Sequence, residues 1–292
     1  MKKILILISA FQLSVINAQI ENDLVVHFSF NNSYNDISSN SITGYNNGTF
    51  FTADRNGLAN SAIELNGNDF VSFISDSINV EFPITISTWV RLNSLNESNN
   101  IFFSDTDFDN YSGFWLQTLP NTGQPVLSFG GGTSGNGGIS SGNRRSYISD
   151  FNLQVGVWHN IIGIIRAHND MDIYVDCMQT TGTYSGSGPT AISYIPSESR
   201  IGSAPVTAVS PIPPSYNGFI DQFAIWKREL TALELTEMCN TNNTLAIESV
   251  KKKPRELLRI VNMMGQECVP VNNTPLIYQY DDGSTEIIII QE

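Results

Sequence analysis

Charge is scarce in this sequence, and cysteine and histidine are scarcer still. Asp, Glu, Lys and Arg together make up 15% of the 292 residues, little for a helical protein with ion-paired surfaces. Basic residues number 15 against 28 acidic ones, a formal net charge of -13. A chain of that sign repels phosphate, which argues against nucleic acid and anionic membrane as partners. The three cysteines, Cys177, Cys239 and Cys268, include no C-x-x-C pair, so a zinc-knuckle spacing is absent. The three histidines, His27, His159 and His168, have no metal-ligand spacing, and His159 after Trp158 reads as structural. No Gly-x-Ser-x-Gly occurs, and Gly130 to Gly135 lacks the Lys of a phosphate-binding loop. No apolar run is long enough to span a membrane as a helix: Ile4 to Ile16 is too short, and Ile287 to Ile290 is a brief β-prone run.

What is present divides the chain into four parts. Lys2 and Lys3, the apolar stretch Ile4–Ile16 and Ile16-Asn17-Ala18 have the order of a secretory signal, with residues 1–18 removed and Gln19 first in the mature protein. Losing two lysines and no acid leaves 13 basic against 28 acidic residues, or -15. Export favours disulfides. Cys177 and Cys239 share one part of the chain and are the candidate pair, the alternative being buried free thiols. Residues 19–240 form the body, rich in Gly, Ser, Asn and Thr, as many short strands joined by turns require. Residues 241–255 read as a polar linker ending in three lysines. Residues 256–292 carry a small β pattern of their own, with Asp282-Gly283 as a turn.

Within the body the strand signals are strong. Leu24 to Phe30 opens the series, and Asn66-Gly67 joins Ala62–Leu65 to Phe70–Phe73 as a hairpin. Ile84 to Leu92 and Val157 to Arg166 are long β-branched runs. The stretch Gly218 to Leu235 is the most telling. Phe219, Asp221, Phe223 and Ile225 alternate with Ile220, Gln222, Ala224 and Trp226, so the strand is apolar on most of both faces and belongs mid-sheet. Asp221 interrupts it, and a carboxylate there needs a cation or donors. Thr231 followed three residues later by Glu234 is a capping box that starts a helix.

The order and spacing of several pieces resemble the laminin-G-like, concanavalin A-like jelly roll of exported bacterial proteins. These are Val26 to Asn32 leading to Asn35-Asp36, Asn46 to Thr49, Ala62 to Gly67, Ile84 to Val90, Trp158 to Asn160, Ile173 to Asp176, and Gly218 to Glu234. One departure is Cys177, which stands where the family's Tyr-Val-Asp-Gly turn has Gly. The tail, through Leu258 to Glu267, Asn273 to Tyr278 and Asp281 to Ser284, resembles the sorting segments read by the type IX secretion system. That resemblance implies export and then release or attachment at the cell surface. The expected fold is all-β: a two-sheet antiparallel β-sandwich of jelly-roll type, a short helix after the last strand, and a small β tail.

Candidate site residues follow from chemistry. Asp36, Asn40 and Asp221 are metal candidates, because a polar loop without its own core lies near a buried carboxylate and Ca²⁺ takes six to eight oxygens from such loops. The resemblance adds that jelly rolls of this kind often carry a structural calcium near the first loop. The alternative is that Asp36 caps a turn and Asp221 accepts backbone N–H groups. Asp105-Thr106-Asp107-Phe108-Asp109 mimics an EF-hand start but lacks its Gly and final Glu, and reads as a solvated loop. Tyr111, Trp115 and Tyr147, with Arg144 and Arg145, are the ligand-binding candidates, since aromatics beside loops stack on sugar faces, the favoured alternative being that Trp115 is buried. Trp89, Trp158 and Trp226 read as core. Glycan hydrolysis needs two facing carboxylates. The Glu-x-Asp-x-x-Glu run of concanavalin-like glucanases is absent, and Glu64 and Glu81 stand alone. The expected function is an exported, non-catalytic binding or adhesion module for polysaccharide or glycoprotein, with one structural calcium. The rivals are a glycan hydrolase or lyase with an unfamiliar site, and a purely structural surface protein.

Overall fold

The computed structural model describes residues 20–74, 76–96, 98–107, 110–132, 141–205, 215–239, 257–262, 265–280 and 285–289. The signal segment, the linker and the Asp281–Ser284 turn lie outside the described residues. The chain forms two compact units, Met1–Leu245 and Ala246–Glu292. In the first, the strands in chain order are β1 (Leu24–Phe28), β2 (Tyr45–Asn47), β3 (Phe50–Thr52), β4 (Ala62–Asn66), β5 (Phe70–Phe73), β6 (Ile84–Leu92), β7 (Asn100–Phe103) and β8 (Phe114–Thr118). They continue as β9 (Pro125–Gly130), β10 (Arg144–Ser149), β11 (Trp158–Ala167), β12 (Asp170–Val175), β13 (Met178–Gln179), β14 (Gly182–Ser185), β15 (Ser199–Ile201) and β16 (Asn217–Trp226). One helix, α1 (Ala232–Cys239), follows. The second unit holds the antiparallel sheet β17 (Leu257–Val261), β18 (Pro275–Tyr280) and β19 (Thr285–Ile289).

Two antiparallel sheets make the first unit. One runs β13-β12-β11-β6-β16-β4-β3, with β1 also paired to β16. The other runs β14-β10-β9-β8-β7-β15-β5-β2. Their inner faces meet in one apolar core. Phe28 and Phe223 from the first sheet interlock with Phe73 and Phe102 from the second, with ring centroids 5.1 Å apart for Phe28–Phe73 and 4.8 Å for Phe102–Phe223. The sandwich is the expected one.

Strand β16 holds the first sheet together. It pairs along one side with β6, and along the other with β4 through Asn217–Ile220 and with β1 through Phe223–Trp226. Between the two halves lies a bulge: Asp221 pairs with Trp89 and Ala224 with Ser87, so three steps on β16 match two on β6. Gln222 carries the extra residue at φ +53°. The bulge breaks the alternation expected from sequence. Ile220, Phe223 and Ile225 all enter the core, while Phe219 and Asp221 fall on the outer side.

The helix is capped as its sequence dictates. The Thr231 backbone N–H donates to Glu234 at 2.7 Å, and the Glu234 N–H donates back to Thr231 Oγ1 at 3.3 Å. Its last residue, Cys239, is disulfide-bonded to Cys177, closing a sequence separation of 62. Cys177 sits with Asp176 in the two-residue turn between β12 and β13, at φ +69° and +50°. A residue with a Cβ costs about 1–2 kcal/mol in that region, so the Gly-to-Cys departure strains the hairpin. Asp176 offsets part of this by accepting the Asn160 N–H at 2.9 Å and bonding His159 Nδ1 at 2.7 Å. The cross-link contributes more: closing a loop of 62 residues stabilises by about 4 kcal/mol on the chain-entropy account. The paired substitution Cys177→Gly/Cys239→Ala is therefore expected to lose about 3 kcal/mol net, read as a lower midpoint of urea unfolding. An unchanged midpoint would show that the bridge contributes nothing to stability.

Candidate functional site

The three metal candidates separate into two arrangements. Asp36 is 7% exposed, and its carboxylate is filled by donors. Oδ1 accepts the backbone N–H groups of His27 and Ser38, each at 2.8 Å. Oδ2 accepts Ser38 Oγ–H at 2.6 Å and the Ile42 N–H at 3.1 Å. Asn40 turns its amide donor toward the Val25 carbonyl at 2.7 Å. Together they clasp the loop after β1 onto that strand. Asp221 faces Arg55 instead, which reaches over from the β3–β4 connection and pairs with it. Both side chains are almost wholly buried, at 3% and 1% exposure, and the guanidinium also lies 4.6 Å from the Trp89 ring centroid. Burial pushes the Asp221 carboxyl up to about 7, with Arg55 opposing the rise. As placed, the three do not form a calcium ligand set. Asp36 is ringed by donor hydrogens, which repel a cation, and Asp221 already has its counter-charge. Among the described residues no group of three or more His, Cys, Asp or Glu is arranged to hold a metal. The expected tie from Asp221 to the first loop is instead a tie to Arg55.

The EF-hand mimic is likewise not a solvated loop at its first residue. Asp105 is 4% exposed, accepts the Ile195 N–H at 2.7 Å and bonds Ser197 Oγ. It pins the 193–197 segment against the second sheet. Phe108 and Asp109 lie outside the described residues.

Of the five ligand-binding candidates, the structure unites three and turns two away. A row crosses the outer face of the second sheet from Arg200 through Phe103, Trp115, Ser128 and Ser146 to Ser185. Trp115 lies in that row, stacked on Phe103 at 5.5 Å and on Tyr111 at 5.2 Å. Arg144 donates to Ser146 Oγ at 2.7 Å, and its guanidinium lies 5.9 Å from the Tyr111 ring. Trp115 itself is buried, at 2% exposure, so Tyr111 is the ring that remains half-open. Arg145 and Tyr147 occupy the opposite face of β10. Tyr147 packs in the sandwich core against Tyr184 at 5.0 Å. Arg145 covers the Tyr184 ring at 4.5 Å and donates to the Gly186 carbonyl at 2.5 Å. The strand period of two decides this split, because β10 itself was not evident in the sequence.

A second outward face was missed. On the first sheet, Trp158, Arg91, Phe219, Glu64 and Phe50 pair in register across β11, β6, β16, β4 and β3. Trp158 is half-exposed there, not core as its sequence suggests, whereas Trp89 and Trp226 are buried. The Arg91 guanidinium lies over Phe219, 3.8 Å from its ring centroid, and 5.6 Å from that of Trp158. Two residues further along the strands stand Asn66, Asn217 and Asn93, all exposed. Asn66 pairs with Asn217, and the Asn93 amide donates to Asn217 Oδ1 at 3.1 Å. Gly218 makes this close strand approach feasible: a Cβ there would meet the Arg91 carbonyl oxygen at 2.2 Å. Beside Asn217 opens a cavity of about 270 Å³ lined by Gly67, Ser94, Asn96, Asn99, Ser215 and Asn217. The face thus joins two rings and a guanidinium to a pocket of amides and hydroxyls. The signal for it was the outward parity of Arg91 and Phe219, hidden by the bulge after Asp221.

The sequence profile of a laminin G-type family, Laminin_G_3, described as the concanavalin A-like lectin/glucanases superfamily, matches residues 65–236. The chain belongs to this family. Comparison with curated proteins finds no match. Solved structures share the laminin G-type fold at low identity. Domain 4 of AbnA, a GH43 extracellular arabinanase from Geobacillus stearothermophilus solved with arabinotriose, has a TM-score of 0.54 and 19% identity over 74% of this chain and 98% of that one. The botulinum neurotoxin serotype G binding domain has a TM-score of 0.54 and 14% identity over 90% of this chain and 61% of its own. The binding domain of Paraclostridial Mosquitocidal Protein 1 has a TM-score of 0.53 and 19% identity over 76% of this chain and 52% of its own. The chain thus spans little more than half of each toxin binding domain. In this laminin G-type chain no described helix is long and apolar enough to cross a membrane.

None of the described histidines next to the clasp or the turn is arranged as a free base. His159 bonds Asp176 through Nδ1, and its Nε2 accepts the Gln154 N–H at 3.2 Å. His27 bonds Gln222 Oε1 through Nε2 at 2.8 Å, and burial lowers its pKa below 6.5.

Two expectations follow. Asp221→Asn or Arg55→Met alone leaves one buried charge uncompensated and is expected to cost about 3–5 kcal/mol. The double variant Arg55→Met/Asp221→Leu should recover most of that loss in urea unfolding. Additive losses would mean that the two do not interact. For His27, the unfolded state binds the proton that the folded state refuses. Its contribution is therefore present above about pH 6.5 and lost as pH falls, with a slope of at most about 1.4 kcal/mol per pH unit. His27→Gln should flatten the unfolding midpoint between pH 5 and about 7; a slope equal to wild type would place the titration elsewhere.

Proposed function

We propose that this chain is an exported, non-catalytic module that binds polysaccharide or glycoprotein. The observation that carries the reading is the outer face of the first sheet. Trp158 and Phe219 offer ring surface, Arg91 a fixed donor fork, and Asn66, Asn93 and Asn217 amides that both donate and accept. A sugar presents an apolar ring face and rim hydroxyls, and this face has a counterpart for each. The adjoining 270 Å³ cavity adds neutral polar walls. Binding domains among the structural neighbours support the same direction. The half-open Tyr111 ring with Arg144 on the second sheet is the other face where a sugar would stack. Export rests on the signal-like residues 1–18, and delivery through the type IX secretion machinery, with release or surface attachment, on the tail. The separate β17–β19 sheet supports treating that tail as its own segment.

A glycan array on the mature chain, beside a reducing-sugar assay, tests this. Binding without turnover is expected. Trp158→Ala is expected to weaken the best glycan about tenfold, as loss of one stacking ring does, and Tyr111→Ala to leave it unchanged. The reverse order would move the site to the second sheet, and turnover abolished by one carboxylate substitution would make the protein an enzyme. Chelator is expected to change nothing, since Asp36 is ringed by protein donors and Asp221 is paired with Arg55.

A further inference from the structure

The geometry points to an acidic glycan, a polysaccharide bearing uronate carboxylates, as the ligand of the first sheet's outer face, with Arg91 as its anion receptor. This rests on the glycan-binding reading above and names the class of sugar. Arg91 is held without a carboxylate. Its guanidinium lies 3.8 Å over Phe219 and 5.6 Å from Trp158, and it has no ion pair or side-chain hydrogen bond among the described residues. Most arginines of this sandwich are engaged otherwise. Arg55 pairs with Asp221, Arg166 with Asp170, Asp172 and Glu229, Arg200 with Glu198, and Arg228 with Glu234. In a protein of formal net charge -13, a cation clamped on two rings and left with open donors is a local reversal of sign.

A guanidinium presents its N–H groups in a plane matched to a carboxylate, and ring stacking fixes that plane before the ligand arrives. Glu64 lies on the far side of Phe219 from Arg91, two strands across and so about 10 Å away. It leaves the Trp158 side of the fork clear, and its carboxylate accepts hydroxyls. Asn217 lies two residues along β16 from Phe219, about 7 Å. One oligosaccharide therefore reaches both places. A neutral ring or its hydroxyls occupies the amide-lined cavity, while the carboxylate of a neighbouring unit meets Arg91. Every group in the cavity wall is uncharged, so the discrimination between acidic and neutral polymers is concentrated in Arg91.

The test uses the mature chain with polygalacturonate and alginate, each beside its methyl-esterified form, which keeps the backbone and removes the charge. Calorimetric titration is expected to show at least one acidic polymer bound tenfold or more tighter than its ester. Arg91→Gln should remove that preference while leaving weak binding to both forms, and Arg91→Lys should restore only part of it. Asn217→Asp, which leaves Arg91 in place and puts a like charge beside the cavity, should weaken the acidic polymer selectively. Thermal melts of each variant separate lost folding from lost recognition. Equal affinity for acid and ester, or a preference that survives Arg91→Gln in a folded protein, overturns the acidic-glycan assignment and leaves glycan binding standing. Failure of wild type to bind any arrayed glycan overturns both.

Discussion

One extra residue in one strand organises the first unit. Strand β16 pairs with β6 on one side and with β4 and then β1 on the other, on both sides of its bulge, so its register is locked by all three. Inserting Gln222 at positive φ resets which side chains face inward. Before the bulge, Ile220 enters the core and Phe219 and Asp221 point out. After it, Phe223 and Ile225 enter. Were Gln222 a regular strand residue, Phe223 would share the outward face of Phe219, and the contact between Phe223 and Phe102 that joins the two sheets would be lost. Bulges also sharpen local twist, and here one separates a closed half of the sheet face from an open half.

The closed half is governed by electrostatics. Asp221 points outward but not into water, because Arg55 and its connection fold over it and over Trp89. Two buried charges are desolvated at a cost of several kcal/mol each, and their attraction returns roughly that amount. A well-packed apolar pair would serve stability equally. What the ion pair adds is a requirement: the β3–β4 connection has one seat on this sheet, since any other leaves a charge alone. The open half begins one step along the strand, where the same outward parity presents Phe219 to solvent beneath Arg91.

The layers were legible from sequence because β-branched runs, Asn-Gly turns and the Thr231–Glu234 box are local signals, and the fold assembles from them. The sites were less legible, for physical reasons that differ by residue. Asp36 reads from sequence as a calcium ligand, with turn capping as the alternative; in the structure it accepts the backbone N–H groups of His27, Ser38 and Ile42, which carry no sequence signature. Asp221 announced a need for a partner, and nothing local identified Arg55, 166 residues away. Tyr147 and Arg145 were grouped with Tyr111 and Arg144 by nearness in sequence, whereas a strand sends alternate residues to opposite faces. Trp158 was assigned to the core by its type. It flanks the core instead, because it pairs with Arg91 at the end of the β11–β6 ladder, where the sandwich gives way to solvent.

These placements bear on the proposed binding role. Catalysis asks for groups whose protonation is free to change at a substrate. Several of the described titratable groups are instead held in structure: Asp36 in a clasp, Asp221 in an ion pair, His159 between Asp176 and a backbone N–H, Glu234 in a cap with Arg228. The outward face of the first sheet around Arg91 presents a guanidinium, amides, aromatic rings and the Glu64 carboxylate. Most of them sit on paired strands, so little backbone freedom is left to lose when a ligand docks. Recognition there draws on preorganisation, and its strength is set by how well a ligand's hydroxyls and charge match positions that the sheet has already fixed.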